Sequence, residues 1–178
     1  MNIVNSHSLG LWILGVVLTL AVWKDMTQRK IPNTLLIVAS AWALLWSTTA
    51  GGVGLSAALI GGVVALGVFL GFYATGAMGA GDVKLMAVVG LFLGQSEVLS
   101  LCLSVLIAGG LQSVIWAVWT SRLREVLSST WQTLSHSMFS LAGGTWPVQA
   151  EPATLHGSMP YALAIAAGTG AHLLLKFW

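Results

Sequence analysis

The sequence predicts an all-α polytopic membrane protein with about six transmembrane helices and an additional cytoplasmic interfacial helix. Three observations predict it. Of the 178 residues 57% are hydrophobic and only 7% charged, and the mean hydropathy is +0.89, which leaves too little polar surface to coat a soluble globule. The apolar residues are gathered into runs that approach the ~20 residues a helix needs to cross hydrocarbon. Six alternating spans also place Lys24, Arg29, Lys30, Lys84, Arg122 and Arg124 on one side and only Lys176 on the other, as the cytoplasmic bias of basic residues requires.

The first span is expected from Leu9 to Trp23. The residues before it, MNIVNSHS, carry no positive charge, and no small-residue cleavage site follows, so a retained helix is expected rather than a secretory signal. The second span runs from Asn33 to Ser47, with Pro32 and Asn33 marking its start. The third runs from Leu55 to Thr75. It carries Gly62, Gly67 and Gly71, whose G-x-x-x-G pair suits close helix packing. The fourth is short, from Val83 to Gly94, and the fifth extends from Val98 to Trp119. The sixth runs from Pro160 to Leu175, opened by a proline where the missing N–H is harmless.

Trp23, Trp46, Trp119 and Trp178 fall at expected span ends, as an interfacial belt would place them. The whole chain, 1–178, is expected to form one integral membrane domain. Within it, 120–158 forms a cytoplasmic loop between spans five and six. Leu123, Leu127, Trp131, Leu134, Met138 and Leu141 make a helical stripe there, suited to the membrane surface. The Gly- and Pro-rich stretch after it is expected to be a connector or a cover over the site.

Function classes narrow from the same residues. The net charge of +2 reflects topology and anionic lipid rather than nucleic acid. The single Cys102 allows no intrachain disulfide and no C-x-x-C zinc site, and His7, His136, His156 and His172 lack ligand spacing, so no metal and no cofactor are expected. The segment GAMGAG lacks the spacing of a phosphate loop.

The candidates for chemistry are Asp25, in WKDMTQRKIPN, and Asp82, in GAMGAGDVKL. A carboxylate near the bilayer is costly. Each has an ordinary explanation alone: Asp25 pairing with Lys24, Arg29 or Lys30, and Asp82 capping the helix that follows. Together they suit peptide hydrolysis, in which one ionised carboxylate activates water while a protonated partner supplies the leaving amine. Gly79 and Gly81 offer backbone freedom and room for a substrate strand. Both aspartates are expected at the cytoplasmic ends of helices, with Asp82 starting a short span in a water-filled recess below the membrane surface.

Asp25 followed after five residues by Ile31, Pro32 and Asn33, together with Gly79, Ala80, Gly81, Asp82, Val83, Lys84 and Leu85, resembles the signature of the type IV prepilin peptidases, which are G-x-G-D aspartic peptidases. Met159, Pro160, Tyr161 and Ala162 resemble the Pro-aromatic element that opens their last span. The resemblance implies cleavage of a short basic leader from prepilin or pseudopilin proteins at the cytoplasmic face of the bacterial inner membrane, with Asp25 and Asp82 as the catalytic pair. Gly79, Gly81, Pro32, Asn33 and Lys84 are expected as substrate-binding or motif support, and Lys84, to which the resemblance gives no role, is expected to pair with a carboxylate or a lipid phosphate. Membrane lipid and a pilus or secretion machinery are the implied surroundings. The N-terminal methyltransferase region of larger members has no counterpart here, so cleavage without methylation is expected. This short form is similar to the subgroup of Flp pili and tight-adherence secretion. The main alternative is a small ion- or proton-coupled transporter using the same carboxylates. A non-catalytic assembly factor is a third reading. Presenilin-like peptidases share G-x-G-D but place the first Asp after Tyr, whereas Asp25 follows Lys24.

Overall fold

The structure, a computed structural model, describes residues 3–74, 76–119 and 160–178. Six helices follow one another: α1 (Ile3–Gln28), α2 (Asn33–Ser47), α3 (Leu55–Ala74), α4 (Ala80–Leu93), α5 (Val98–Trp119) and α6 (Tyr161–Phe177). Among the described residues all regular secondary structure is helical. The interfacial helix and loop expected over 120–158 lie outside the described residues, as do Arg122, Arg124 and Met159.

Leu9–Gln28, Leu55–Ala74 and Val98–Trp116 are long and apolar enough to cross a membrane. The helices α2 and α4 have 15 and 14 residues, or about 22 and 21 Å at ~1.5 Å per residue. The long helices present apolar stripes outward, such as Leu99, Leu103, Ile107, Leu111 and Val118 on α5. Contiguous exposed apolar surface of that kind belongs against lipid or another apolar partner.

At the centre lies α4, packed on α3 and α2 and touching α1 and α6. Its residues Val83, Leu85, Met86, Val88, Val89, Phe92 and Leu93 are all buried. A helix that is apolar all round belongs in a core, and this one is shielded by its neighbours rather than facing outward. The most extensive helix contact is between α3 and α4. A Cβ placed on Gly61 would stand 2.5 Å from the Gly90 carbonyl oxygen, and one on Gly90 equally close to that of Gly61. Gly62 meets Leu91 in the same interface, whereas Gly67 and Gly71 face open space. The G-x-x-x-G pair expected to mediate close packing therefore does not do so among the described residues. The contact occurs nearer the start of α3, where α4 is within reach.

Expected boundaries shift at α1, which begins at Ile3 rather than Leu9, and at both motifs. Helix α1 continues past Trp23 to Gln28 because Lys24 to Gln28 contain no breaker, and polarity alone does not end a helix. It stops at Arg29, whose φ of 50° is left-handed and whose N–H donates to the Asp25 carbonyl at 2.9 Å, the helix-ending bond of a left-handed cap. At the other motif α4 starts at Ala80, three residues before the expected Val83. Trp23, Trp119 and Trp178 are exposed, as belt residues should be. Trp46 is half-buried with its indole against Gly10 of α1.

At the end of the bundle away from the aspartates, Glu97 joins α6 to the start of α5. Its carboxylate accepts from Lys176 Nζ at 3.0 Å and meets His172 Nε2 at 3.1 Å. Sequence spacing gave no hint of this cluster, since its members lie 75 and 79 positions apart.

Candidate active site

Asp25 occupies the last turn of α1 rather than a loop, and only 9% of it is exposed. Asp25 Oδ2 accepts a hydrogen bond from the backbone N–H of Ala162, at 3.1 Å. That donor belongs to the first turn of α6, whose N–H groups have no partner within the helix and carry partial positive charge. The start of α6 thus supplies what a buried carboxylate needs.

Asp82 is half-buried in the first turn of α4, after Gly79 at the N-cap. Its own N–H donates to the Gly79 carbonyl at 3.1 Å. Two carboxylates 57 residues apart in sequence thus lie at one end of the bundle: Ile31, six residues after Asp25, packs on Gly81 beside Asp82, and the start of α6 holds Asp25.

The motif residues touch one another. Ile31 packs on Gly81, where a Cβ would lie 3.4 Å from that of Ile31. Lys84 Nζ donates to Asn33 Oδ1 at 3.0 Å, so an amide on α2 takes one of its three protons. Pro32 is the N-cap of α2, with φ of −66°, and its carbonyl accepts from Leu35. Gly79 acts through space and not through φ: its φ of −76° is ordinary, but a Cβ would stand 3.1 Å from Asp82 Oδ2. Gly81 also lies in regular helix. The left-handed glycine of this turn is Gly76, with φ of 74°.

The structure adds residues to which no site role was attached from sequence. Tyr161 packs its hydroxyl over Gly109 of α5, and Gln112 Nε2 donates to the Pro160 carbonyl at 3.0 Å. These contacts hold the start of α6, and with it the Ala162 N–H, over Asp25. The Pro-aromatic motif was their one visible signal, because a backbone donor has no side-chain signature.

In chemical terms the site offers one carboxylate oriented by a backbone donor and a second in the first turn of a helix. That arrangement suits general acid–base work on water and an amide. Neither a curated protein nor a solved structure matches the chain. Residues 12–119, which contain Asp25, Pro32, Asn33, Gly79, Asp82 and Lys84, match the type IV leader peptidase family, and the chain belongs to that family.

Proposed function

We propose that this chain is a membrane-embedded aspartic endopeptidase that removes the short basic leader from prepilin or pseudopilin proteins at the cytoplasmic membrane face. One observation carries the reading: the Asp25 carboxylate is held by the Ala162 N–H at the end of the bundle where Asp82 lies in the first turn of α4. The ionised aspartate takes a proton from water as its oxygen attacks the scissile carbonyl, and the protonated one donates to the departing amine. A pair of this kind titrates as a unit. Cleavage falls at the membrane face because a carbonyl inside a regular helix is already hydrogen-bonded and hard to attack. Family membership supports leader cleavage in general. The prepilin-type substrate, the dyad roles and the absence of methyl transfer are parts of this proposal.

All six helices cross the membrane in this reading, with the aspartate end cytoplasmic and residues 1 and 178 on the other side. Lys24, Arg29, Lys30 and Lys84 lie at that end and Lys176 at the other, which favours this orientation. The shortness of α2 and α4 sets their ends below a ~30 Å hydrocarbon boundary, with water entering above Asp82. The setting is the bacterial inner membrane, beside a pilus or secretion machinery of the Flp or tight-adherence type.

The test is a gel-shift assay in cells co-expressing a prepilin-type precursor with wild type, Asp25→Asn or Asp82→Asn at matched membrane levels. Wild type shortens the precursor and both variants leave it intact. Cutting by either variant at the wild-type rate removes that residue from the dyad.

A further inference from the structure

Between α1 and α6 lies an apolar groove enclosing about 400 Å³. Gly15 and Thr19 line it from α1, and Thr169 and Gly170 from α6. Its upper end is formed by Val22, one turn before Asp25, and by Leu163, next to the Ala162 whose N–H holds that carboxylate. The groove thus continues from the aspartate site into the depth of the bundle.

Two features are unexplained by the packing of the described residues. A Cβ added to Gly15 or Gly170 would meet nothing within 4 Å, so neither glycine is there to admit another of the described helices. Thr169 is fully buried, and its Oγ1 has no hydrogen-bond partner among the described residues. A buried hydroxyl without a partner is costly. Thr169 lines the groove, so an acceptor seated there would be the partner that its hydroxyl lacks.

We infer that this groove seats the apolar transmembrane helix of the protein substrate and so delivers the segment above that helix to Asp25 and Asp82. The inference rests on the peptidase reading and names where the uncut part of the substrate is held. In hydrocarbon an occupant with a peptide backbone must be helical, and helices associate there through small residues and through Ser or Thr hydroxyls. Gly15 with Thr19 and Ala166 with Gly170 are two such small pairs at four-residue spacing, facing one groove. A lipid chain offers Thr169 no acceptor, and a second copy of this chain seated here would cover the approach to Asp25.

The test is disulfide cross-linking in isolated membranes, in a chain carrying Cys102→Ala and Asp82→Asn so that substrate is held uncut. Single cysteines are placed by Gly15→Cys or Gly170→Cys, with Gly67→Cys on the outward face of α3 as control. The probe is a prepilin-type precursor with one cysteine about ten residues beyond its cleavage site, the depth of Gly15 below Asp25 at ~1.5 Å per residue. The expected result is at least tenfold more cross-linked precursor at 15 and 170 than at 67. Cutting of the same precursor by the Asp82 chain is followed alongside. Cutting without preferential cross-linking overturns the groove and leaves the peptidase reading standing. Cross-links between two copies of the chain at 15 overturn it in favour of self-association. Cross-linking without cutting keeps the groove and removes the peptidase reading, and the failure of both overturns both.

Discussion

The backbone N–H of Ala162 donates to Asp25 Oδ2 at 3.1 Å across 137 positions of sequence. The last helix is thereby part of the site, although it carries neither aspartate. A hydrogen bond to a charged group contributes about 1.5–3 kcal/mol. Ala162→Pro deletes this donor and sets the proline ring against the Asp25 carboxylate in its place, at a first-turn position where a helix tolerates proline. Leader cleavage is expected to fall about ten- to a hundredfold by that energy, with the chain still accumulating in the membrane. Wild-type kcat and KM in Ala162→Pro would show that the bond is dispensable.

The Lys84–Asn33 bond ties the two motif segments together at 3.0 Å. It is exposed, so its contribution is modest, about 0.5–1.5 kcal/mol. Lys84→Met and Asn33→Leu should each lower Tm in detergent by a few degrees, about that energy, and the double variant by no more than the larger single effect. Additive losses would mean that the two side chains act independently.

Gly61 and Gly67 separate packing from propensity. Gly61→Ala drives a Cβ to 2.5 Å from the Gly90 carbonyl oxygen, forcing α3 and α4 apart at the core. Gly67→Ala meets open space and gains up to about 1 kcal/mol of helix propensity. Yield and Tm in detergent should fall sharply for the first and hold or rise for the second, and equal behaviour would refute the α3–α4 contact.

Glu97 sets an acid limit on stability. The hydrogen bond from Lys176 holds its carboxyl below the ordinary 4.5. A carboxyl depressed by folding contributes stability that is present above the unfolded value and is lost as pH falls through the folded one. Tm should therefore hold from neutral pH down to about 5 as far as this group is concerned and decline below that. Glu97→Gln should start lower at pH 7 and decline less steeply. An acid limb of equal slope in both chains would show that the cluster does not contribute.

Asp25 and Asp82 were legible in the sequence because carboxylates are rare in an apolar chain and each sits in a motif of fixed spacing. Helix order was equally legible, since helices that turn apolar faces to a core or to lipid need continuous apolar runs, and α2 and α5 have the expected bounds. The ends of α1 and α4 were not, because the polar residues that mark a membrane boundary do not stop a helix. The Trp46 indole against Gly10 was hidden for a related reason: a tryptophan at a span end has the same local pattern whether it faces headgroups or a neighbouring helix.

The sequence by itself determined the membrane class, the run of helices and the residue types able to do acid–base chemistry. These follow from composition and from spacing along one helix, which are local properties. Only the tertiary structure decided that a backbone N–H of α6 holds Asp25, that Asn33 takes Lys84, that Gly61 and not Gly67 meets α4, and that Thr169 is buried without a partner beside a groove. Each depends on which faces of distant helices meet, and helix packing is set by shape over many side chains at once, which no single segment encodes.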